Sequence, residues 1–297
     1  LPAPVPAREH QTLAVVRIGG LLGIKVLASS DDLLDLFAME DKTTNEPMMI
    51  TVSVVSHGQW HLVSQLLTDL QTHCNSTTIE LILTLNIPEV VTLDQADCDF
   101  SVRIIRNLQP KGFGANHNAA FSQANGQFFC VINPDIRFGS CPFSSLWACF
   151  SDSSVGIAAP LVLSPEGLPE DSARKFPTPW KILGKLKTRH NQPDYCLAGG
   201  IVPVDWCAGM LLLFPANVYA NLRGFDERYF LYYEDVDICS RLTLSGLKVV
   251  LSSDTHVVHH AQRSSHRQIR YMFWHVRSIL RFFLSSVYRR LRGGGWI

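Results

Sequence analysis

Long hydrophobic runs are absent from this sequence of 297 residues. The best candidate, residues 206–214, is far shorter than the roughly 20 apolar residues that a membrane-spanning helix needs. Residues 1–6 also lack the basic start and apolar core of a secretory signal. The sequence therefore predicts neither a membrane-spanning nor a secreted protein, and its 46% hydrophobic content excludes disorder throughout.

Closely paired cysteines are missing as well. The 8 cysteines are scattered, with no CxxC pair and no Cys/His spacing of the zinc-binding kind, and several lie inside apolar runs such as residues 129–131. This distribution argues against a disulfide scaffold and against a zinc module. We expect the cysteines to be reduced, buried side chains in a cytosolic protein.

Acidic residues are absent beyond Asp254. Because eight arginines follow that position, the net charge of zero divides into a tail of +8 and a remainder of −8. These arginines are Arg263, Arg267, Arg270, Arg277, Arg281, Arg289, Arg290 and Arg292. A basic end predicts contact with a polyanion, and phospholipid or a lipid pyrophosphate fits as well as nucleic acid does.

Apolar residues in the same tail recur at helical spacing. They include Ile269, Met272, Phe273, Val276, Phe283 and Val287. A helix packed on a core and a helix lying on a membrane surface would both show this stripe. The absence of acids beside so many arginines favours the membrane surface.

Strand-like and helix-like segments alternate from residue 50 onward. Runs rich in β-branched and other apolar residues occupy residues 50–56, 79–85, 101–105 and 128–132, with helical patterns at residues 61–73 and near 116–124. This alternation predicts an α/β fold in which a mostly parallel sheet is flanked by helices. Ligands of such sheets bind at the carboxyl ends of the strands.

Asp135 follows the buried strand at residues 128–132 directly, in the triplet Asn133-Pro134-Asp135. A carboxylate at the end of a strand can bind Mg²⁺ or Mn²⁺, which takes its other ligands from water and diphosphate oxygens. An Asn-Pro turn with a local Asp cap explains the triplet equally well.

Three carboxylates, Glu234, Asp235 and Asp237, begin an apparent helix after two tyrosines. Acids are common in a first helical turn because they interact favourably with the helix dipole. A carboxylate held among aromatic rings can also keep a raised pKa and act as a general base. Arg241 is close enough along the helix to pair with one of them.

Two further segments could bind ligands. His259 and His260 end a short strand, where an imidazole could complete a metal site with Asp135 or be purely structural. The Gly-Phe-Gly loop at residues 112–114 follows Lys111 and precedes a helix, an arrangement that suits phosphate but that any tight turn could produce.

Taken in order, these segments resemble the inverting family 2 glycosyltransferases, and among them the WbbL-type O-antigen rhamnosyltransferases. The resemblance runs from Ile50 to about Phe283. Its most specific segments are residues 54–58, 112–118, 133–136, 174–177, 204–209 and 224–237. It implies a GT-A fold.

The implied domain at residues 48–265 has a nucleotide-sugar half at 48–140 and an acceptor and catalytic half at 141–265. Residues 1–47 are then an N-terminal extension without an assigned function, and residues 266–297 are a basic, amphipathic helical tail.

The resemblance also implies roles for individual residues. Asp235 corresponds to the catalytic base, with Glu234 as second choice. Asp135 and His259 correspond to the ligands of a divalent metal, Mg²⁺ or Mn²⁺. Asn133 replaces the first acid of the family's metal motif.

The donor site departs from the family pattern at one position, because Asn86 stands where relatives usually carry an Asp that reads the nucleotide base. The residues implied for the donor are Ser56, His57, Asn86, Lys111, Gly112, Gly114, Asn118, Asn133 and Asp135. Those implied for the acceptor are Arg174, Trp206, Gly209 and Asp237.

The implied activity is transfer of L-rhamnose from dTDP-rhamnose to a lipid-linked acceptor of the GlcNAc-diphospho-undecaprenol type, in lipopolysaccharide O-antigen or other cell-surface polysaccharide synthesis. Such an enzyme is expected in the cytoplasm, peripheral at the inner face of the bacterial plasma membrane. Alternatives are transfer of galactofuranose, mannose or glucose, a non-catalytic carbohydrate- or nucleotide-binding module, and a nucleic-acid-binding protein. No helix-turn-helix, RNA-binding aromatic motif or zinc module supports the last.

Overall fold

The computed structural model describes residues 12–18, 21–27, 49–93, 98–188, 193–196, 199–260 and 269–297. The chain divides into two compact units, Leu1–Glu46 and Pro47–Ile297. In the first unit, β1 (Thr12–Ile18) and β2 (Leu21–Leu27) pair as an antiparallel hairpin. Two arginines of the basic tail, Arg263 and Arg267, lie outside the described residues.

The second unit is built on a central sheet, one half of which is parallel. Its strands are β3 (Met49–Ser56), β4 (Thr78–Leu85), β5 (Ser101–Arg106) and β6 (Phe128–Ile132), in the spatial order β6-β3-β4-β5. Two helices, α1 (Trp60–His73) and α2 (Phe113–Phe121), lie in the connections between them.

Side chains alternate across this half of the sheet and contribute to two separate cores. In β6, Cys130 and Ile132 belong to one hydrophobic cluster, while Phe129 and Val131 belong to the other. The buried side of α1 joins the first cluster, and Ala120 of α2 joins the second. Because both faces are covered, most residues of β3 and β4 are buried.

The other half of the sheet is mixed, in the order β10-β13-β8-β12-β6. Its strands are β7 (Ile136–Arg137), β8 (Val155–Leu163), β10 (Ile201–Val204), β12 (Leu211–Pro215) and β13 (Lys248–His259), while β9 (Ala173–Arg174) and β11 (Trp206–Cys207) form a separate pair. β12 is antiparallel to β6, with Leu211 opposite Ile132. The start of β12 therefore lies beside the carboxyl end of β6.

The remaining helices follow or precede these strands. They are α3 (Phe143–Ala148), α4 (Pro179–Thr188), α5 (Ala216–Asn221), α6 (Glu234–Leu244), α7 (Ile269–Leu284) and α8 (Ser286–Gly293), with a 3-10 turn at Cys149–Ser151. α7 and α8 confirm that the tail is helical. No helix in the described residues is both long and apolar enough to span a bilayer.

The predicted α/β fold with a mostly parallel, helix-flanked sheet is confirmed, but several local predictions were wrong. The strand before His259 is 12 residues long because β13 pairs with β8 along most of its length. α2 begins at Phe113, before the expected start near residue 116. Five of the eight cysteines are buried as expected, but Cys196 is exposed.

Candidate active site

Asp135 lies just beyond the carboxyl end of β6, in a turn that backbone hydrogen bonds hold on two sides. The Asn133 N–H donates to the Met210 carbonyl over 2.9 Å, and the His260 N–H donates to the Asp135 carbonyl over 2.9 Å. The Asp135 side chain is 15% exposed, and its Oδ1 atom is buried without a hydrogen-bond partner. A buried carboxylate oxygen is costly unless something binds it, so this atom has unused capacity for a ligand.

His259, the last residue of β13, connects two carboxylates through its ring. Its Nε2 lies 3.4 Å from Asp135 Oδ2, and its Nδ1 lies 2.8 Å from Glu170 Oε2. Burial disfavours the imidazolium, but the hydrogen bonds and charges of these two carboxylates outweigh burial and raise the pKa of His259 to about 9. The structure thus joins two residues singled out from the sequence and adds Glu170, which sequence reasoning missed.

The Asp135 and His259 pair fits a divalent cation. One carboxylate oxygen and one imidazole nitrogen are adjacent, and a second carboxylate oxygen has no partner. Glu170 on the opposite ring nitrogen matches the carboxylate that commonly orients a metal-binding histidine. Across the described ranges, no group of three or more His, Cys, Asp or Glu side chains is placed to hold a cation alone. A cation at this pair would therefore need further ligands from substrate or water.

Asp235 lies in the first turn of α6, where two backbone amides hold its carboxylate. Oδ1 accepts from the Val236 N–H over 2.8 Å, and Oδ2 accepts from the Gly209 N–H over 3.2 Å. Gly209 immediately precedes Met210, whose carbonyl holds the turn that carries Asp135. The Asp235 carboxylate and the backbone of the turn that carries Asp135 are thereby bonded to consecutive residues at the same edge of the sheet.

Glu234 and Asp235 form an acidic pair in a poorly solvated place. Burial raises the pKa of Asp235, although two backbone amides and the Arg174 charge oppose this shift. Burial also raises the pKa of Glu234, and the Asp235 charge adds to the effect. Glu234 is only 5% exposed, with Oε2 unpartnered, whereas Asp235 is half-buried. Asp235 is therefore the more accessible carboxylate of the pair.

Backbone strain precedes this pair. Tyr232 and Tyr233 have φ values of +69° and +70°, in the left-handed region. Bulky residues in that region cost about 1–3 kcal/mol each and persist only where surrounding contacts hold them. Tyr233 is also the residue before the first turn of α6, so the strain is located where the acidic pair is presented.

Asp237, the third acid of the cluster, forms an ion pair within the protein. Its carboxylate pairs with Arg241 Nε at 2.7 Å, as the helical spacing predicted. Arg241 also donates to the Gly224 carbonyl over 2.8 Å. Asp237, which is 2% exposed, therefore holds the arginine that connects α6 to the loop after α5.

Two asparagines on the expected donor side are occupied by internal hydrogen bonds. Asn86 accepts from the Lys111 N–H over 2.8 Å and donates to the Lys111 carbonyl over 3.0 Å. Asn118 Oδ1 accepts from the Tyr219 hydroxyl over 2.8 Å and from the Phe225 N–H over 2.9 Å. Both amides thus shape the loop after β5 and its contacts.

The glycines of that loop allow close contact with the segment before α6. A Cβ atom on Gly112 would lie 2.7 Å from the Phe230 carbonyl oxygen, and one on Gly114 would lie 2.5 Å from Phe225 Cβ. The Phe113 N–H donates to the same Phe230 carbonyl over 2.9 Å. The Gly-X-Gly pattern here is required by packing, whether or not phosphate also binds.

The remaining donor-side residues lie at the end of β3 and in the loop after β5. Ser56 is buried and accepts from the Gln59 N–H over 3.1 Å. His57 is exposed, and its Nδ1 lies 3.2 Å from the Asn86 amide nitrogen. The Lys111 side chain is exposed.

The residues expected for the acceptor lie near Asp235. Arg174 and Trp206 are opposite one another in the β9 and β11 pair, with the guanidinium 5.6 Å from the ring centre. The Trp206 Nε1–H donates to the Lys175 carbonyl over 3.1 Å, which fixes the ring. The Arg174 charge lowers the pKa of Asp235, so these side chains and the base share one electrostatic environment.

An open depression of about 470 Å³ lies beside the donor loop, with Lys111, Asn118, Glu227 and Phe230 in its lining. Its lining includes none of Asp135, Asp235 and His259. The candidate catalytic and metal-binding residues are therefore located by their hydrogen bonds and ion pairs at the sheet edge, and they lie outside this depression.

The chain is similar to known proteins. A family model described as "Glycosyltransferase like family 2" matches residues 84–278. Rhamnosyltransferase WbbL of Escherichia coli (strain K12) is 26% identical over 249 residues, which cover 79% of this chain and 92% of that protein. An N-acetylglucosaminyl-diphospho-decaprenol L-rhamnosyltransferase of Mycobacterium tuberculosis (strain CDC 1551 / Oshkosh) is 32% identical over 149 residues, 46% of this chain and 48% of that protein.

The fold also has a counterpart among solved structures. GalNAc-T7, crystallised with UDP, GalNAc and Mn²⁺, superposes with a TM-score of 0.55 at 16% identity, covering 73% of this chain and 44% of that one. This likeness shows the GT-A fold. The family match extends from the end of β4 into α7 and includes the Asp135, Asp235 and His259 positions. The chain belongs to the family 2 glycosyltransferases.

Proposed function

We propose that this protein is an inverting rhamnosyltransferase that uses dTDP-rhamnose and a lipid-linked acceptor of the GlcNAc-diphospho-undecaprenol type. Two relatives support the sugar, since both are named rhamnosyltransferases, and the name of one specifies an N-acetylglucosaminyl-diphospho-lipid. The observation that supports the catalytic assignment is that Gly209 donates to the Asp235 carboxylate, while the next residue, Met210, accepts from Asn133 in the turn that carries Asp135.

The proposed reaction is a single displacement with Asp235 as the base. Asp235 accepts the proton of an acceptor hydroxyl while that oxygen forms a bond to the anomeric carbon of rhamnose. The bond from this carbon to the diphosphate oxygen breaks, and dTDP leaves with the electron pair. Attack from the opposite face inverts the anomeric configuration. Base assistance of this kind contributes about 10²- to 10⁴-fold.

Asp135 and His259 would hold a divalent cation, Mg²⁺ or Mn²⁺, and Glu170 would keep the His259 ring in place. A bound cation supplies positive charge to the leaving diphosphate, which is worth several kcal/mol in the transition state. The unpartnered Oδ1 of Asp135 is the atom that we assign to this contact.

We assign the donor to the carboxyl ends of β3, β4 and β6. Ser56, His57 and Asn133 lie at or just beyond those ends, and Lys111 contributes an exposed cation close to the amino end of α2. Four residues shape this site through the contacts of the loop after β5: Asn86, Gly112, Gly114 and Asn118.

We assign the acceptor to the side of Asp235 that carries Arg174, Trp206 and Gly209. The Arg174 guanidinium, whose side chain is 37% exposed, suits the diphosphate of the acceptor, and the buried Trp206 ring packs against the guanidinium. Asp237 contributes by holding α6 in position. Glu234 is the buried neighbour of the base, and burial together with the Asp235 charge raises its own pKa.

We further propose a peripheral location at the cytoplasmic face of the plasma membrane. Five arginines of the tail, Arg270, Arg277, Arg289, Arg290 and Arg292, are exposed, and the tail contains no acid. A surface with this charge is attracted to anionic lipid by about 1 kcal/mol per basic residue close to the headgroups.

The proposed activity is tested with a panel of nucleotide sugars and lipid-linked GlcNAc, with and without Mn²⁺, read by mass spectrometry. We expect the acceptor to gain one deoxyhexose from dTDP-rhamnose in the presence of the cation. Transfer of a hexose from another nucleotide sugar would contradict the rhamnose assignment and identify that sugar as the one transferred. Donor binding without transfer to any acceptor would instead favour a non-catalytic module.

A further inference from the structure

The outer face of α7 is an apolar stripe open to solvent. Met272, Phe273, Val276, Leu280 and Leu284 are between 50% and 79% exposed. Their spacing places them along one side of the helix. A contiguous group of large apolar side chains on a surface marks an interaction site more often than single exposed residues do.

The inner face of the same helix packs on the segment that precedes the acidic pair. Trp274 packs on Phe230, with ring centres 4.7 Å apart. The His275 ring lies 5.1 Å from that of Tyr232, and the Phe282 ring lies 5.6 Å from that of Tyr233.

A hydrogen bond adds to this packing. Ser278, 4% exposed, donates its hydroxyl to the Leu231 carbonyl over 2.9 Å. The inner face of α7 thus contacts every residue from Phe230 to Tyr233.

That segment needs such support. Tyr232 and Tyr233 are held in the left-handed region, and the next two residues are Glu234 and Asp235. A bulky residue keeps this conformation only when its surroundings fix it. A small displacement of α7 would therefore be transmitted to the carboxylate that we assign as the base.

The charge around the stripe favours an anionic phospholipid surface as its occupant. Arg270 and Arg277 are exposed on α7, and no acid lies beyond Asp254. A second copy of the chain docked face to face would bring two sets of arginines together without a counter-charge. Phospholipid offers both the apolar layer for the stripe and the negative charge for the arginines.

We infer that α7 docks its outer stripe in an anionic lipid surface and, through its inner face, fixes the segment that presents the base. Lipid docking then raises the turnover number as well as the local concentration of a lipid-linked acceptor. This inference rests on the proposed function for its effect on turnover, but docking and the ordering of the segment are measurable without catalysis.

The first experiment measures binding of the full chain to phosphatidylglycerol vesicles by flotation. Phe273→Ser combined with Leu280→Ser is expected to weaken binding at least about tenfold, because two large apolar side chains no longer enter the lipid. The matched control is Leu168→Ser combined with Val90→Ser, which alters two exposed apolar residues outside α7. Equal binding by the stripe variant and the wild type would overturn the docking surface.

The second experiment follows amide hydrogen exchange in residues 229–237 with and without these vesicles. Vesicles are expected to slow exchange there in the wild type and to have a smaller effect in Ser278→Ala, which leaves the outer stripe unchanged and is expected to bind vesicles normally. If vesicles leave the exchange rates of the wild type unchanged, lipid docking of α7 does not order this segment, and the coupling is overturned.

The third experiment measures turnover of a water-soluble acceptor analogue with and without the vesicles. We expect a rise in kcat for the wild type and little rise for Ser278→Ala. An unchanged wild-type kcat in the presence of vesicles would contradict the proposal that lipid docking raises turnover. Loss of every transfer activity, with vesicle binding and exchange protection intact, would count against the proposed function and leave the docking surface standing.

Discussion

The donor-loop side and the carboxylate side of the site differ in how far the protein itself uses their polar atoms. The side-chain amides of Asn86 and Asn118 form hydrogen bonds within the chain. Asp135 and Glu234 each keep a buried oxygen without a partner. Side chains that are fully bonded define a frame, whereas buried oxygens with spare capacity indicate a ligand or reactive site. The asparagines of the site thus support its structure, whereas its carboxylates are available to a ligand.

The largest effect is expected for Asp235→Asn on the carboxylate side. The amide can still accept the Gly209 hydrogen bond but cannot take a proton, so kcat should fall about 10²- to 10⁴-fold. Donor affinity should remain near that of the wild type, measured by calorimetry with the nucleoside diphosphate. Asp226→Asn, in the preceding loop, is the control, because its carboxylate pairs with exposed Arg228. Near-normal sugar transfer by Asp235→Asn would refute the base assignment.

Asp135→Ala should weaken metal and donor binding together. Loss of cation contacts worth several kcal/mol corresponds to at least about a hundredfold weaker binding of the nucleoside diphosphate in Mn²⁺. The same titration in EDTA should show little difference from the wild type. Equal losses in both buffers would mean that Asp135 supports the fold or the donor without a cation.

A smaller effect is expected for Glu170→Gln, because this residue acts on the metal through His259. The amide can still hydrogen-bond to Nδ1 but lacks the charge, so Mn²⁺ affinity should fall by about 10- to 100-fold. Electron paramagnetic resonance of free Mn²⁺ measures this directly. Glu166→Gln, in the same connection after β8, should leave Mn²⁺ affinity unchanged. Unaltered affinity in Glu170→Gln would make its contact with His259 purely structural.

Asn118→Ala tests the structural role that we assign to the donor-loop side. Removal of its amide leaves the Tyr219 hydroxyl and the Phe225 N–H without their partner, which should lower the free energy of unfolding by about 1–3 kcal/mol. Denaturant unfolding measures the change, with Asn221→Ala on the exposed side of α5 as control. A loss of donor affinity without a loss of stability would show that Asn118 contacts the donor directly.

The mildest effect is a shift in the pH profile for Arg174→Gln. A base must be ionised, so kcat is full above the pKa of Asp235 and falls as the pH drops through it. Burial already raises this pKa, and the Arg174 charge holds it down. Removing that charge should move the acid limb of the kcat profile to higher pH. A limb that stays in place or moves down would contradict the proximity of Arg174 to the base.

Sequence reasoning reached the parts of this site that follow strand ends. Asp135 and His259 each lie at the end of a recognisable strand, and a mostly parallel sheet brings such ends together. The Asp237 and Arg241 pair was also predictable, because residues four apart on a helix are neighbours.

Other features depend on contacts between distant residues. Gly112 is a glycine because the backbone of Phe230, more than one hundred residues later, lies against it. Glu170 lies in a loop with no periodic pattern, and only the course of β13 brings His259 to it. The left-handed Tyr232 and Tyr233 run against the preference of bulky residues, so propensity alone gives no signal for them.

The central claim is that Asp135 and His259 bind the cation that contacts the leaving diphosphate, while Asp235 remains outside the metal site as the base. Anomalous X-ray scattering from crystals with Mn²⁺ and a nucleoside diphosphate tests this most directly. The account predicts one strong Mn²⁺ peak in bonding contact with Asp135 Oδ1 and His259 Nε2, with Asp235 unbound. A peak coordinated by Asp235, or a bound diphosphate with no Mn²⁺ at Asp135, would contradict it.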